Sequence, residues 1–228
     1  MRTPFLAAAI LLTLAAAAQT PAPPQPPTAA PTRASLAGTY DGGQLEVAAQ
    51  LILKPDGHFQ YELAYGALDE AAEGTWDVKD TVVLLTTVPT AVPPRFVVVS
   101  DTPDPNGTLH IHLTKTLVEG MRQRVLLLYG ANPKPGQDSD EADIADDDSV
   151  PIPAGKHPTA FIPEIPVYPT LPAPIPLTGP AGHRFVLRFE PNDIGKANFH
   201  ATPLVLQDGV LVMPRRDLQI LLRFRRQP

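Results

Sequence analysis

The chain has 228 residues, a formal net charge of −6 and no cysteine. A net negative charge argues against binding to nucleic acid, because affinity for phosphates comes from clustered Lys and Arg side chains. Without cysteine the protein forms no disulfide and offers no thiolate to a metal, so its stability must come from a hydrophobic core.

Residues 1–18 combine one arginine, an apolar stretch and an Ala-rich site, a pattern typical of a Sec-type signal peptide. As a helix, the apolar stretch would span about 21 Å, less than the roughly 30 Å hydrocarbon core of a membrane. There is also no cysteine to carry a lipid at the cleavage site. We therefore expect a periplasmic or secreted protein that begins near Gln19, is not a lipoprotein and has no transmembrane anchor after processing.

Two segments are rich in proline, and they differ in what lies between the prolines. Residues 19–34 carry only small or polar side chains there, which predicts a disordered linker. Residues 157–180 interleave their prolines with large apolar side chains, which predicts an extended chain packed along a domain. The alternative for this second segment is a polyproline II ligand for an aromatic groove.

An acidic segment separates the two halves of the chain. Seven carboxylates lie between Asp138 and Asp148, and like charges at that density repel one another and stay solvated. An EF-hand calcium loop counted from Asp138 fails, because Asp143 stands where glycine is needed and Ser149 stands where glutamate is needed. We therefore predict a flexible acidic loop over residues 132–150.

Elsewhere the apolar residues alternate with polar ones, as in β-strands. The residues on one face of the first predicted strand are Leu45, Val47, Ala49, Leu51 and Leu53. The Lys54–Gly57 sequence KPDG favours a turn that joins this strand to the next in a hairpin. The pattern predicts an all-β protein, an antiparallel sandwich or small barrel with two modules, residues 35–100 and 101–228.

The candidate ligand-binding residues lie close together in the first module. They are Tyr61, Tyr65, Asp69, Glu70, Glu73 and Trp76. Carboxylates beside aromatic rings are typical of a sugar-binding groove, and paired carboxylates also serve hydrolases. We favour a simpler interpretation, in which Asp69 caps a helical turn between two strands and the aromatic rings fill the core.

Other signals of chemistry are weak. No serine lies in a Gly-x-Ser-x-Gly motif, so we assign no catalytic residue, and we predict no cofactor. His110 and His112 alternate along a predicted strand and would share one face, which makes them weak candidates for metal ligands and, more simply, surface imidazoles. Arginines concentrated near the C-terminus, from Arg215 to Arg226, are interpreted as protection of an exposed strand edge.

Several segments resemble a family of exported proteobacterial proteins with no assigned activity. They are SLAGTYDGGQLEVAAQLILKPDGHFQYELAYGALDEAAEGTWDVKDTVVLLTT, PPRFVVVS, EGMRQR and RFEPNDIGKANFHATPLVLQDG. The resemblance implies export and a two-part β architecture, and the acidic segment departs from it. The Gly38–Tyr40 sequence is also similar to the start of lipocalin-like barrels. We therefore expect a binding or structural module whose partner is an envelope component or a small ligand, with a lipocalin-like barrel or a carboxylate hydrolase as alternatives.

Overall fold

The computed structural model describes residues 30–115, 121–132, 136–169, 171–179 and 182–228. The predicted signal peptide and most of the predicted linker lie outside these residues. One short helix and a series of strands make up the described chain, which confirms the all-β prediction. Their bounds are α1 Arg33–Leu36, β1 Gly38–Asp41, β2 Val47–Leu53, β3 His58–Tyr65, β4 Leu68–Lys79, β5 Val82–Thr87, β6 Arg95–Pro103, β7 Leu109–Leu113, β8 Arg124–Tyr129, β9 Ser139–Asp143, β10 Ser149–Val150, β11 Pro158–Pro163, β12 Ile175–Pro176, β13 His183–Glu190, β14 Thr202–Gln207, β15 Val210–Arg215 and β16 Ile220–Arg226.

Eight strands close into a barrel in the order β1-β16-β15-β14-β5-β4-β3-β2, and all neighbours in it are antiparallel. The last three strands of the chain complete the barrel begun by the first five. The predicted boundary at residue 100 therefore does not separate the sheets. Local alternation identifies strands, whereas closure depends on which distant edges meet, and a closed barrel removes edges that would otherwise stay unpaired. The C-terminal strand β16 is thus paired on both sides and is not the exposed edge that its arginines suggested.

The predicted hairpin between β2 and β3 is confirmed, with Leu51 opposite Tyr61 and Leu53 opposite Phe59. Its turn is closed by the Gly57 amide, which donates to the Lys54 carbonyl oxygen at 3.0 Å. The φ of Gly57 is +88°, a conformation that glycine adopts without steric cost. Leu45 departs from the prediction, because it lies in a turn before β2 and is 91% exposed.

Side chains fill the interior of the barrel. The largest that are almost completely buried include Tyr40, Phe59, Tyr61, Trp76 and Phe224. Phe199, from the segment before β14, inserts among them, with its ring centre 5.1 Å from that of Tyr61 in an edge-to-face arrangement. An eight-stranded barrel has an interior just wide enough for side chains, so this packing accounts for its volume.

The strands between β5 and β14 form two smaller sheets, β10-β7-β13-β6 and β12-β11-β8-β9. The two sheets share one apolar core, which contains Ile111, Val125, Leu127, Phe161 and Leu187. Pairing is antiparallel except between β7 and β13, which run parallel. The described chain is therefore a barrel with a small β-sandwich inserted into it.

The second proline-rich segment contributes strands to this sandwich. β11 pairs with β8 and β12, and Phe161 and Ile162 are buried. The acidic segment also differs from a simple loop, because β9 pairs with β8 and β10 pairs with β7. Basic side chains explain why an acidic chain can pair there: Arg124 forms ion pairs with Glu141 and Asp143, and the Lys156 ammonium lies 2.6 Å from the Asp140 carboxylate.

The end of the predicted linker is fixed to the barrel. Thr32 caps α1, with its hydroxyl oxygen accepting from the Ser35 amide at 3.2 Å. The Arg33 guanidinium donates to the Trp76 carbonyl oxygen at 3.3 Å and to the Asp77 carboxylate at 3.1 Å. Residues 32–34 therefore belong to the folded unit and not to a disordered linker.

Candidate functional site

The turn predicted around Asp69 is wrong, because Asp69, Glu70 and Glu73 all lie on β4. The chain turns earlier, at Gly66 and Ala67, and β4 then pairs with β3 along its first eight residues. Ala-rich sequence favours helix only weakly, and pairing within the barrel overrides that preference. On this strand Glu70 points inward with Leu68 and Ala72, whereas Asp69 and Glu73 point outward.

Glu70 lies in an ion cluster at one end of the barrel interior. Its carboxylate forms a bidentate ion pair with Arg215, and these two side chains are 13% and 7% exposed. Arg215 also donates to the Tyr61 hydroxyl at 2.8 Å and to both carboxylate oxygens of Asp217, at 2.6 and 3.1 Å. One guanidinium thus holds two carboxylates and a phenol, and the fork geometry of arginine suits that number of partners.

The charges in this cluster are fixed. Burial lowers the pKa of Arg215, but hydrogen bonds to Asp217 and Glu70 outweigh burial and keep that pKa above its ordinary value. Burial raises the pKa of Asp217, yet its hydrogen bonds and ion pair with Arg215 hold that pKa below the ordinary range. Burial also raises the pKa of the Tyr61 phenol, which stays neutral. Arg215 and Asp217 therefore stay charged at neutral pH, and the Glu70 carboxylate is held by both terminal nitrogens of the Arg215 guanidinium.

An open groove of about 1020 Å³ runs over the outer face of β2, β3 and β4, and we call it the β2–β4 groove. Small side chains, Ala48, Ala64 and Ala71, lie along it beside polar ones. The outward polar side chains are Asp41, Gln44, Gln50, Glu62 and Asp69, whereas Glu70 borders the groove with its side chain turned into the barrel. A second cavity of about 510 Å³ shares Gln50, Glu62 and Ala71 with the groove and adds Glu73 and Lys196.

The wall of the groove comes from a distant part of the chain. Ala71 donates its amide to the Gly195 carbonyl oxygen at 2.8 Å and accepts from the Ala197 amide at 2.9 Å. Gly195 has a φ of +82°, and a β-carbon there would lie 3.2 Å from the Asp69 carbonyl oxygen and 3.6 Å from the Tyr168 ring. Glycine thus lets this loop approach both β4 and Tyr168, which also borders the groove.

The outward carboxylates of this face form no ion pair with a described residue, although Lys196 lines the smaller cavity together with Glu62 and Glu73. Across the described ranges, no basic side chain lies within ion-pair distance of Glu62, Asp69 or Glu73. Glu62 lies opposite Ala71, so Asp69 and Glu73 are its two diagonal neighbours. Diagonal neighbours on one sheet face are about 7–8 Å apart, so the three carboxylates form a row across β3 and β4.

The predicted aromatic residues do not line this groove as a stacking platform. Trp76 is buried, and its indole N–H donates to the Lys54 carbonyl oxygen at 2.9 Å. The Tyr61 ring is in the core and Tyr65 packs against the core half-buried. Among the residues that form the two sites, the sequence interpretation missed Glu62, Tyr168, Arg215 and Asp217. Alternation was the available signal for Arg215, because Leu211, Met213 and Arg215 all point inward on β15.

The two histidines of β7 are both paired with carboxylates. Nε2 of His110 lies 3.0 Å from Oδ2 of Asp104, and Nδ1 of His112 lies 3.0 Å from Oδ2 of Asp148. Only His112 is a surface imidazole as predicted; the His110 side chain is 14% exposed, because it faces the buried Asp104. Within the described residues, no three His, Asp or Glu side chains are grouped so that they could hold a metal ion.

Comparisons of the chain with protein families, with curated proteins and with solved structures found no match. The resemblance to exported proteins therefore stays a prediction. Among the helices of the described residues, none has the length and apolar character needed to cross a membrane.

Proposed function

We propose that this chain is an exported binding module without enzymatic activity, and that it holds a polar ligand in the β2–β4 groove. The observation that carries the proposal is the row of Glu62, Asp69 and Glu73, which are exposed beside the groove and its adjoining cavity and form no ion pair with the described part of the chain. Carboxylates of this kind accept hydrogen bonds from amines and hydroxyls. A ligand that carries several ammonium groups at roughly 7 Å spacing would match the row.

The hydrolase alternative is less well supported. A carboxyl that acts as a general acid needs burial to hold its proton at neutral pH. Glu70 is the buried member of the predicted set, and its carboxylate is committed to Arg215. Asp69 and Glu73 are exposed on a strand face, where water hydrates them.

A lipocalin-like interior site is also less well supported than the groove. The interior position where such a ligand would lie is occupied by packed rings, among them Phe59, Tyr61 and Phe199. Opening a cavity there would remove contacts from the main core of the barrel and cost several kcal/mol per deleted ring.

The proposal can be tested by titrating ¹⁵N-labelled protein with three probes: spermidine, a glucosamine tetramer and, as a neutral comparison, a cellotetraose. We expect the two cationic probes to shift the amide signals of β2, β3 and β4. Glu62→Gln and Asp69→Asn should each weaken binding about tenfold, because each removes a charge-assisted hydrogen bond. Asp80→Asn is the matched control, since Asp80 is an exposed carboxylate in the turn after β4, away from the groove residues.

Two results would overturn this proposal. One is the absence of shifts in the groove amide signals with both cationic probes, and the other is equal weakening of binding by the Asp80→Asn control.

Export is tested separately by intact-mass measurement on protein from its native host, where we expect a chain that begins near Gln19. Recovery of a chain that still begins at Met1 would contradict export.

A further inference from the structure

Strand β6 forms an open edge of the sandwich. The sheet order β10-β7-β13-β6 ends at this strand, and among the described strands only β13 pairs with it. Residues 98–103 are all exposed, with Val98 at 42% and Val99 at 55%. A nine-residue strand with valines at its centre therefore presents unpaired backbone groups to the surroundings.

Long apolar edge strands are uncommon in proteins that remain monomeric, because the free backbone groups template pairing with another strand. Proteins usually shorten such edges, place charges at their centre or cover them. The charges of β6 lie away from its centre, at Arg95 and Asp101, and the centre is Val97, Val98 and Val99. The feature that interrupts the edge is a bulge at Val99, which has no partner on β13 because Val98 lies opposite Leu187 and Ser100 lies opposite Val186.

The sequence of β6 is complementary to itself in the antiparallel direction. Arg95 and Asp101 lie three residues on either side of Val98. If two copies pair about a twofold axis at Val98, Arg95 of each copy lies opposite Asp101 of the second copy, and Val97 lies opposite Val99. Shifting the register by two residues places Arg95 opposite Val99 or Pro103 of the second copy and loses both charge pairs.

We propose that two copies of this chain associate through β6, in antiparallel register about Val98. The β10-β7-β13-β6 sheet of one copy then continues into the same sheet of the second copy. Because the contact has a twofold axis, it uses β6 of both copies and leads to a dimer and not to a longer chain of copies. Both charged side chains can reach a second partner: Arg95 is 66% exposed while paired with Glu190, and Asp101 is 35% exposed while paired with His183. The bulge increases the local twist of both copies equally, as the symmetry requires.

Reversing the charges of Arg95 and Asp101 tests the proposed register between the two β6 strands. Sedimentation equilibrium of the protein that begins at Gln19, over a concentration series, should show a monomer–dimer equilibrium. Arg95→Asp and Asp101→Arg should each raise the dissociation constant at least about tenfold, because like charges then face each other across the axis. The double variant Arg95→Asp/Asp101→Arg restores opposite charges, so its dissociation constant should return to near the wild-type value. Thermal melts by circular dichroism establish that each variant is folded.

Disulfide cross-linking tests whether the twofold axis passes through Val98. The chain has no native cysteine, so an introduced cysteine is the only thiol of each copy. Val98→Cys would place two thiols directly opposite, with α-carbons about 4.5–5.5 Å apart, within the range of a disulfide. Val99→Cys is the matched control, because its symmetry mate would lie about 8 Å away and could not be bridged. We expect a disulfide dimer from Val98→Cys alone. A monomer at every concentration would overturn the proposal and would indicate that the bulge prevents β6 from pairing with another strand. Equal cross-linking of the two variants would also overturn it.

Discussion

Arg215 lies on the inward face of β15, where the preceding inward side chains, Leu211 and Met213, are completely buried. A charge at such a position is tolerated only when it is paired and hydrogen-bonded. Glu70 supplies the paired charge from across the barrel, and Asp217 and Tyr61 accept further hydrogen bonds. Apolar side chains of similar volume in place of the ion cluster would give a fold of comparable stability. The free energy lost when one charged partner is removed is therefore larger than the net stabilisation that the intact cluster provides.

Removing Arg215 alone tests this asymmetry. Arg215→Met should lower the free energy of unfolding by about 3–5 kcal/mol, because it leaves the Glu70 carboxylate buried without its cation. Arg215→Met combined with Glu70→Leu should cost less than Arg215→Met alone, since the carboxylate then left without its cation is Asp217, whose side chain is 42% exposed and can be hydrated. Urea denaturation measures the free energy of unfolding of these two variants and of Glu70→Leu alone. Arg216→Met is the matched control, an exposed neighbour whose change should stay within about 0.5 kcal/mol. A double variant whose cost equals the sum of the single costs would contradict the coupling of Glu70 and Arg215.

At the scale of elements, the segment from Gly195 to Phe199 takes over the pairing of β4 where β5 does not reach. Gly195 and Ala197 bond to Ala71 of β4, while Phe199 accepts from the Thr87 amide at 2.9 Å. The Thr87 hydroxyl accepts from the Phe199 amide and donates to the Ala197 carbonyl oxygen, each at 2.9 Å. This buried hydroxyl therefore connects the segment that walls the groove to the barrel.

Thr87→Val keeps the shape of the side chain and removes its hydroxyl. We expect the free energy of unfolding to fall by about 2–4 kcal/mol, because the Phe199 amide and the Ala197 carbonyl lose their buried partner. Thr86→Val is the matched control: its hydroxyl accepts an exposed bond of 3.3 Å from the Ala201 amide, so its loss should cost less than about 1 kcal/mol. Chemical denaturation measures the free energy of unfolding of both variants. Equal losses at the two positions would contradict the role of the Thr87 hydroxyl as a buried partner of Phe199 and Ala197.

Sequence patterns predicted individual strands and local hairpins better than they predicted partners. The β2–β3 hairpin followed from alternation and from the turn residues Lys54–Gly57, all of which are local signals. Barrel closure by β14, β15 and β16 depends on contacts between residues more than one hundred positions apart, which no local pattern encodes. Glu70 was misassigned for the same reason, since its partner Arg215 is 145 residues away.

At the scale of the whole molecule, native interactions lower the pKa of many carboxyl groups. They include Asp56, Asp77, Asp104, Asp140, Asp147, Glu190 and Asp217. At Glu190 the largest cause is the hydrogen bond from Arg95, and at Asp140 it is the hydrogen bond from Lys156. Asp217 differs because burial, which raises its pKa, is the largest single influence there, and the hydrogen bonds and ion pair with Arg215 together outweigh it. These carboxylates are distributed over both the barrel and the sandwich, so their effect is global.

We predict that acid weakens the whole fold. A carboxyl group whose folded pKa is lower than its unfolded pKa contributes stability above the unfolded value, about 4, and that contribution is lost as pH falls through the folded pKa. The melting temperature should therefore stay nearly constant from about pH 7 to pH 5 and fall steeply below about pH 4. Asp217→Asn and Glu190→Gln should each lower the melting temperature at neutral pH and reduce the drop between neutral pH and pH 3, because each removes one linked proton. Calorimetric melts across this range provide the measurement. A melting temperature that holds or rises below pH 4 would show that these hydrogen-bonded carboxylates do not stabilise the native state.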